Sequence, residues 1–325
     1  MSNIAQPRSP IPVLSLSESE VTDLLDPLAL LDVLAQGFID LFEGRFQAPP
    51  RSQILVPDTG FLLTMPAWRK GSPMAVKMVS VFEGNSQKSL PNHLAVINLY
   101  AEDTGMPICV MDGTYITGIR TAGAAALSVR EIARPEARVA TIVGAGVQGR
   151  EHLKMLPLVR DLDRINVYSL KRADAEILAS LSPLAQPVDD LAAAVRQSDI
   201  VCLTSHAYEP VIDAGWVQAG CHVTSVGFAP PGGELPPELA RDNTLFVEDA
   251  AAFADPPAGC GELQGIDPAH GTSMGEALLG RKPKRTRDDE ITVYKAMGIA
   301  MEDAVAAELV YQAALARDIE PAIKL

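Results

Sequence analysis

A glycine-rich segment that follows a short apolar run constrains the fold of this chain more than any other feature. The run is Val139-Ala-Thr-Ile-Val143, and Gly144-Ala-Gly146-Val-Gln-Gly149 comes directly after it. A buried strand that leads through this glycine spacing into a helix, here expected over 150–158, is the dinucleotide-binding pattern of Rossmann folds. The first glycine permits a tight turn, the second lets the backbone approach a pyrophosphate, and the third lets the helix pack closely on the strand.

Segments with strand and helix patterns alternate after this turn. They lie at 165–169, 173–181, 191–196, 200–203 and 222–226. Such alternation is typical of a doubly wound parallel sheet, so the sequence predicts an α/β fold with a Rossmann domain.

The segment before the turn has a different character. A helix is expected after Asp26-Pro27, which have the residue types of an N-cap and a first helical position. Short β-rich runs at 75–82, 95–100 and 107–111 follow, separated by turn signals, and a helix of small residues is expected over 121–133. We therefore predict a largely antiparallel α+β domain.

The length of 325 residues, of which 47% are apolar, suits two domains. We expect a substrate-binding and dimerisation domain over 1–122, joined by a C-terminal helix within 296–325 that packs back on it. The predicted NAD(P)-binding Rossmann domain covers 123–295.

Charge and composition exclude several classes of function. A net charge of −14 argues against nucleic acid as a partner. No window approaches about 18 uninterrupted apolar residues, and the first ten residues lack the apolar core of a signal peptide, so we expect a cytoplasmic protein without a membrane partner. The four cysteines form no Cys-x-x-Cys pair and the five histidines show no ligand spacing, which favours reduced thiols and no metal site.

The second strand of the predicted Rossmann domain ends in Tyr168-Ser-Leu-Lys-Arg172. An NAD enzyme usually presents an acidic side chain here to the ribose hydroxyls. Ser169 can instead donate a hydrogen bond to a 2′-phosphate, and Lys171 or Arg172 can neutralise its charge, so NADP(H) is favoured over NAD. The alternative is that both basic residues only solvate a helix start, which leaves the choice of cofactor open.

A long segment resembles the ornithine cyclodeaminase and mu-crystallin family. It runs from Met111-Asp-Gly-Thr-Tyr-Ile-Thr-Gly-Ile-Arg-Thr-Ala-Gly to Ala126, and Gly-Ala-Gly-Val-Gln follows about 20 residues later. The resemblance extends to further motifs at both ends, which are Pro50-Arg51, Met65-Pro66, Val76-Lys77, Leu90-Pro-Asn-His93, Ile291-Thr-Val-Tyr-Lys-Ala-Met-Gly298 and Glu302-Asp303. It therefore covers nearly the whole chain and implies a homodimer.

The resemblance also implies roles for individual residues. Arg51, Lys77 and Arg120 correspond to substrate-binding positions, and Lys77 and Arg120 to catalytic ones. The positions expected to bind the cofactor are Asn92, Arg120, Thr121, Gly144, Gly146, Val147, Gln148, Gly149, Ser169, Lys171, Arg172, Thr204, Val226, Gly227 and Phe228. An Arg fork binds a carboxylate bidentately and a Lys supplies a movable point charge, which suits an α-imino or α-amino acid.

The chain departs from the family pattern at three positions. Cyclodeaminases carry an Asp-x-Pro-Gly-Lys pattern in which the Asp is an acid/base, but here Ala229 replaces the Asp and Gly233 the Lys, and Ala296 replaces a usual Ser. Ketimine reductases of the mu-crystallin type also lack that Asp. The expected function is therefore NADPH-dependent reduction of a small, cyclic α-imino acid.

Three other functions stay open at this point. They are a true ornithine cyclodeaminase that uses NAD⁺ catalytically, a dehydrogenase of open-chain amino acids or opines, and a ligand-binding protein without turnover. His93 is as consistent with a hydrogen-bonding role as with proton transfer.

Overall fold

The structure is a computed structural model that describes residues 10–229 and 231–325. The amino-terminal segment on which the signal-peptide argument depends lies mostly outside the described residues. Seven strands form most of a first sheet: Pro12–Leu16 (β1), Phe46–Gln47 (β2), Ser52–Val56 (β3), Gly60–Arg69 (β4), Met74–Val81 (β5), His93–Tyr100 (β6) and Pro107–Asp112 (β7).

A second sheet contains eight strands in the order β10-β9-β8-β11-β12-β15-β13-β14, all parallel. The strands are Val139–Val143 (β8), Arg164–Tyr168 (β9), Ala185–Pro187 (β10), Ile200–Leu203 (β11), His222–Ser225 (β12), Thr244–Val247 (β13), Gly271–Ser273 (β14) and Thr292–Lys295 (β15). The central strands are buried on both faces, which matches their continuous apolar sequences. The predicted parallel sheet is confirmed.

The first sheet has the order β16-β1-β7-β6-β5-β4-β2, in which β16 is the final strand Ile323–Lys324 and β3 pairs with β4. All its pairs are antiparallel except β1 with β7. Alternate residues of β5 point to opposite faces, so Lys77 is turned to the buried face while Met78 is exposed.

Nine helices complete the described parts of the chain. They are Glu18–Leu24 (α1), Pro27–Phe42 (α2), Thr114–Ile132 (α3), Val147–Val159 (α4), Arg172–Ala179 (α5), Leu191–Arg196 (α6), Pro237–Asp242 (α7), Met274–Leu278 (α8) and Ala300–Ala316 (α9). Asp26 caps α2 by accepting from the backbone N–H of Leu28 at 3.0 Å, as predicted. The last helix packs against α2 and the first sheet, also as predicted.

Helix α3 is longer than the sequence indicated, because it begins at Thr114 and not at residue 121. The Asp112 carboxylate accepts from the N–H of Tyr115 at 2.8 Å, and the hydroxyls of Thr117 and Thr121 bond to carbonyls one turn earlier. These bonds satisfy polar groups in a stretch of poor helix formers. Arg120 therefore lies inside a buried helix, and the predicted domain boundary at 122/123 falls within it.

Helix α3 runs between the two sheets and is buried along nearly its whole length. Its small residues let it approach α4 closely, since a Cβ on Gly118 would lie 3.2 Å from the Val147 side chain. The helix therefore presents side chains of its middle turns at the junction of the two sheets. No helix in the described ranges is long and apolar enough to cross a membrane.

Candidate active site

The glycine-rich turn lies between β8 and α4, at the carboxyl end of a central strand. Gly144 has a φ of +119°, and a Cβ there would lie 2.7 Å from the Thr204 carbonyl oxygen. A Cβ on Gly149 would overlap the carbonyl oxygen of Gly144, whereas a Cβ on Gly146 would enter open space. The turn is thus tight at one end, closely packed at the other, and open in the middle.

The residues of this turn fit the pyrophosphate of a dinucleotide. Helix α4 begins at the exposed Val147, and its N-cap, Gly146, supplies no side-chain hydrogen bond. The Oε1 atom of Gln148 is buried and has no partner within the part of the chain that the structure describes. Free N–H groups and the helix dipole at such a terminus favour an anion.

The end of β9 exposes the predicted 2′-phosphate residues to different degrees. Ser169 is half-buried, and Lys171 and Arg172 are exposed at the start of α5. The Arg172 guanidinium lies 3.0 Å from a carboxylate oxygen of Glu176 and 2.7 Å from one of Asp189. Its charge is therefore already partly balanced, which leaves Ser169 and Lys171 as the less engaged members of the group.

Most of the other predicted cofactor positions directly follow two neighbouring strands of the second sheet. Thr204 follows β11 and donates its hydroxyl to the carbonyls of Val143 and Gly144, while Val226, Gly227 and Phe228 follow β12. Because β11 is the parallel neighbour of β8 and β12 the parallel neighbour of β11, their carboxyl ends open onto the same crevice as the glycine-rich turn. Thr121 lies in α3 and is buried.

Asn92 belongs to the first sheet and has a local role in this structure. Its Oδ1 accepts from the N–H of Ser86, which fixes the loop between β5 and β6. In the same loop region, Glu83 accepts hydrogen bonds from Tyr208 and His206 of the second sheet's loops, at 2.9 and 3.2 Å. The exposed His93 packs edge-on against His206 with ring centroids 6.2 Å apart. These contacts join the two parts of the molecule beside the crevice.

Beneath the loop that follows β12 lies a buried carboxylate that the sequence analysis missed. The Glu234 side chain accepts five hydrogen bonds, which come from the N–H and hydroxyl of Ser205, the hydroxyl of Ser225, and the N–H groups of Val226 and Gly227. It is fully buried. One carboxylate therefore fixes the ends of both β11 and β12.

Lys295 belongs to the same buried network, which we call the loop cluster (Glu234, Glu262 and Lys295). Its Nζ lies 2.8 Å from Glu262 Oε2 and donates to the Gly227 carbonyl at 2.7 Å. A Cβ on Gly233 would overlap the Glu262 carboxylate. This close approach gives a physical reason why glycine stands where cyclodeaminases carry lysine.

A second buried network contains the predicted catalytic residues. Lys77 Nζ on β5 lies 2.8 Å from Asp303 Oδ2 on α9. Arg120 on α3 donates through Nε to Asp303 Oδ1 at 2.8 Å and through Nη1 to Glu302 Oε2 at 2.6 Å. The exposed fractions of these four side chains are 3% or less. We call this group, together with Arg51 and Glu248, the crevice cluster.

Arg51 joins the crevice cluster through the segment before α9. Its Nη2 donates to the carbonyl of Gly298, and its guanidinium lies over the Phe228 ring, 5.5 Å from the centroid. Gly298 has a φ of +76°, and a Cβ there would overlap the Arg120 guanidinium. The N–H of Gly298 donates to Glu248 Oε1 at 2.8 Å. Two of the predicted substrate residues, Arg51 and Arg120, thus meet at Gly298, and Lys77 joins Arg120 through Asp303.

The electrostatics of the crevice cluster favour proton exchange at Lys77. Burial and the Arg120 charge lower the pKa of the Lys77 ammonium, Asp303 opposes both, and the resulting pKa is about 8. Burial also works against the charge of Arg120, but Asp303 and Glu302 outweigh it and raise the Arg120 pKa. Arg120 is therefore a permanent cation beside an amine that titrates near neutral pH.

Sequence reasoning did not select Glu234, Glu248, Glu262, Lys295, Glu302 or Asp303 as site residues. The Glu302-Asp303 motif was part of the family resemblance, but acidic residues are also common in the first turn of a helix, and no role was assigned to either carboxylate. For Glu248 and Lys295, the available signal was a charged residue at the end of an otherwise apolar strand, β13 and β15 respectively. All four cysteines are buried and unpaired, as predicted, and no group of three or more potential ligands in the described ranges could hold a metal ion.

Comparison with known proteins identifies the family. A family model described as the ornithine cyclodeaminase/mu-crystallin family matches residues 13–318. The chain belongs to this family. The resemblance found in the sequence is therefore confirmed, and so is the predicted fold class.

Members of the family with named functions match over nearly full length. The ketimine reductase mu-crystallin of Mus musculus is 32% identical over 91% of this chain and 96% of its own. The Δ¹-pyrroline-2-carboxylate reductase of Thermococcus litoralis, solved with NADH and L-proline, has a TM-score of 0.89 and 32% identity, covering 96% of this chain and 100% of its own. An archaeal alanine dehydrogenase, solved as a dimer with NAD, has a TM-score of 0.89 and 28% identity, covering 97% and 99%.

Proposed function

We propose that this protein is an NADP(H)-dependent reductase of small cyclic α-imino acids, a ketimine or pyrroline-2-carboxylate reductase in type. The observation that carries the proposal is the crevice cluster. It places one buried amine with a pKa of about 8 beside two arginines, at the junction of the two sheets. Two guanidinium groups suit a carboxylate, and an amine near its pKa suits proton transfer to an imine nitrogen.

The substrate carboxylate would bind between Arg51 and Arg120. The hydrogen bonds of Arg120 within the described residues use Nε and Nη1, which leaves Nη2 for a ligand. Arg51 uses Nη2 alone. Binding of the carboxylate by two guanidinium groups would fix the position of the imine carbon relative to the cofactor. Part of the binding energy would then serve to orient the reacting atoms.

Lys77 would donate the proton that the reduction consumes. A bound reduced nicotinamide supplies a hydride to the imine carbon, and the Lys77 ammonium supplies a proton to the imine nitrogen. Asp303 holds the Lys77 amine in place at 2.8 Å and stabilises its charged form. The neutral amine then recovers a proton from solvent before the next turnover.

A small cavity beside Arg51 supports a compact, apolar substrate body. Its volume is about 60 Å³, and most of its lining is apolar, including Met65, Met297 and Ile299. Such a space suits a small ring or a short side chain. The buried Ala229 offers no acid or base in place of the cyclodeaminase Asp, which disfavours ring closure with loss of ammonia.

We further propose a homodimer formed through the outer face of the first sheet. Ile54, Val56, Met78, Leu94 and Val96 are 38–63% exposed, and the strand registers place them on one face. A continuous exposed apolar face of this kind marks a protein interface. The archaeal alanine dehydrogenase was solved as a dimer, which supports a homodimer here.

Oxidation of NADPH by the purified protein tests the activity directly. The candidate substrates are pyrroline-2-carboxylate, piperideine-2-carboxylate, and pyruvate together with ammonia, each assayed with NADPH and with NADH. In a separate assay, ammonia release from L-ornithine is measured in the presence of NAD⁺. We expect the cyclic imines with NADPH to give the highest kcat/KM. Faster turnover of pyruvate with ammonia would assign an open-chain amino-acid dehydrogenase, and rapid ammonia release from ornithine would assign a cyclodeaminase.

A further inference from the structure

Two glutamates of the crevice cluster are bonded in very different ways. Glu248 accepts at both oxygens, from the N–H groups of Met297 at 3.1 Å and Gly298 at 2.8 Å. Glu302 accepts at Oε2 from Arg120, and from the N–H of Ile299 at 3.4 Å. Its Oε1 is buried and has no hydrogen-bond donor within the described part of the chain.

The two carboxyl groups lie close together, because they accept from the backbone N–H groups of consecutive residues, Gly298 for Glu248 and Ile299 for Glu302. Neither is accessible, since Glu302 is 0% and Glu248 is 2% exposed. Two ionised carboxylates at this separation would repel each other strongly in a buried site, and an acceptor without a donor would lose its hydration without compensation. A proton shared between the two carboxyl groups removes the repulsion and gives the unpaired oxygen a hydrogen-bond partner.

The surrounding groups do not supply an alternative donor to Glu302 Oε1. Arg120 on α3 is engaged with Oε2 and with Asp303. The buried hydroxyl of Tyr294 on β15 makes no hydrogen bond within the described residues. Asp249 adds a further carboxyl next to Glu248, and the Arg51 cation donates to the carbonyl of Gly298.

We propose that Glu302 is the protonated member of a carboxyl pair, in which its O–H donates from Oε1 to Glu248, and that this proton sets the charge that receives the substrate carboxylate. The inference rests on the proposed function. Glu248 is the ionised member because both of its oxygens already accept backbone N–H groups. Glu302 acts as a positioning residue, since it holds Arg120 and does not itself contact the substrate.

The charge balance of the crevice cluster explains what the proton achieves. The cluster contains three cations, Lys77, Arg51 and Arg120, and three carboxyl groups, Asp303, Glu302 and Glu248. If all were ionised, the cluster would be neutral and would offer no net attraction to an anion. One shared proton raises the charge of these six groups by one, which favours the binding of one substrate carboxylate, and Asp249 beside Glu248 opposes this gain when it is ionised.

The pair can exchange its proton with solvent from the side away from Arg120. Glu248 lines a cavity of about 450 Å³ between α2 and the loop after β13. Burial and the Glu248 charge both raise the pKa of Glu302 well above its ordinary value, which agrees with the protonated state.

Infrared spectroscopy of the full-length protein in D₂O tests the protonation state without any substrate. The wild type should show the carbonyl stretch of a protonated buried carboxyl at neutral pH, and Glu302→Gln should lack it. A wild type without the band, or a band that persists in Glu302→Gln, would overturn the proposal. If Glu302→Gln does not fold, Glu248→Asp withdraws the acceptor and should shift the band, and an unshifted band would overturn the proposal equally.

Binding of furan-2-carboxylate, a ring-sized anion that cannot be reduced, tests the charge argument. Glu302→Ala should weaken its affinity by about tenfold because Arg120 loses a partner, and Glu302→Gln should restore the affinity to within about threefold of wild type. An ionised Glu302 predicts the opposite, since Glu302→Gln would then add a positive charge and tighten binding. The matched variant Glu248→Gln should lower the melting temperature, because an amide group cannot accept both backbone N–H groups.

These results are distinguishable from failure of the proposed function. The infrared band and the binding of an anion do not depend on which imino acid is reduced. An inactive protein with the band and with rescue by Glu302→Gln would keep the carboxyl pair and remove only the reductase assignment. An active reductase without the infrared band would keep the reductase assignment and overturn the carboxyl pair.

Discussion

The crevice cluster and the loop cluster are both buried, and each pairs a lysine with a carboxylate at 2.8 Å. Their surroundings differ. Lys295 also donates to Ser225 and to the carbonyl of Gly227, and Glu234 accepts five hydrogen bonds. Lys77 has only Asp303 as a partner within the described residues, and it shares that carboxylate with Arg120.

This difference separates a structural ion pair from a reactive one. Burial works against the charge of Lys295, but Cys260, Glu262 and Glu234 outweigh it and raise the Lys295 pKa. For Lys77, burial and the Arg120 cation together outweigh Asp303 and lower the pKa to about 8. A lysine held permanently charged fixes a loop, whereas a lysine near its pKa can give up a proton during turnover.

The largest effect should come from replacing the two lysines in turn. Lys77→Met should lower kcat/KM by about a hundredfold or more, which is roughly 3 kcal/mol of transition-state stabilisation, with cofactor affinity retained. Lys295→Met should instead destabilise the fold by about 3 kcal/mol, because Glu262 is left as an unpaired buried charge. Steady-state kinetics, cofactor titration and melting curves distinguish the two. If both variants lowered the melting temperature equally, the distinction between a reactive and a structural lysine would be contradicted.

Glu234→Ala should act through the cofactor. Loss of five hydrogen bonds frees the loops after β11 and β12, so we expect a lower melting temperature and about a tenfold weaker affinity for the nicotinamide cofactor. Fluorescence titration with NADPH measures the affinity. The matched change Glu238→Ala, at an exposed residue of α7, should alter neither quantity. A Glu234→Ala protein with wild-type cofactor affinity would contradict a fixing role for the loop cluster.

Arg51→Ala should change substrate affinity more than turnover. The guanidinium would bind the carboxylate before and during reduction, so KM should rise about tenfold while kcat falls less. Separate measurement of KM and kcat with the imino acid that gives the highest kcat/KM tests this expectation. If kcat fell a hundredfold at unchanged KM, Arg51 would have to act on the reacting atoms.

The cofactor preference should give the smallest change. Lys171 and Arg172 are exposed, and Arg172 already pairs with Glu176 and Asp189, so the double change to Ala should reduce an NADPH preference by about tenfold or less. Affinities for NADPH and NADH, measured at two salt concentrations, check this. A wild type that binds both cofactors equally would contradict the NADP(H) proposal.

Local patterns predicted the Rossmann part of the fold well. The Val139–Val143 strand, the Leu191–Arg196 helix and the Ile200–Leu203 strand have the predicted limits, because buried parallel strands and amphipathic helices have strong periodic signatures. The start of α3 was wrong by seven residues. Its first turns depend on Thr hydroxyls and an Asp112 cap, which carry little signal in the sequence.

The sequence located the cations of the candidate site but not their partners. Arg51, Lys77 and Arg120 were selected individually, and the structure brings them together through Gly298 and Asp303. Their carboxylates come from β13 and α9, more than 120 residues away from Arg120 along the chain. A tertiary arrangement of this kind leaves no local pattern, so the Glu302-Asp303 motif matched the family without indicating which cations its carboxylates bind.

The pH dependence of kcat/KM tests the central claim, that Lys77 donates the proton of an imine reduction, most directly. The ammonium form is required, so activity should be present below the Lys77 pKa and be lost as the pH rises through about 8. Asp303→Asn removes the carboxylate that raises this pKa, so the same alkaline limb should move down by about one pH unit or more with the same substrate and cofactor. An alkaline limb that stays at the wild-type position in Asp303→Asn would show that another group donates the proton.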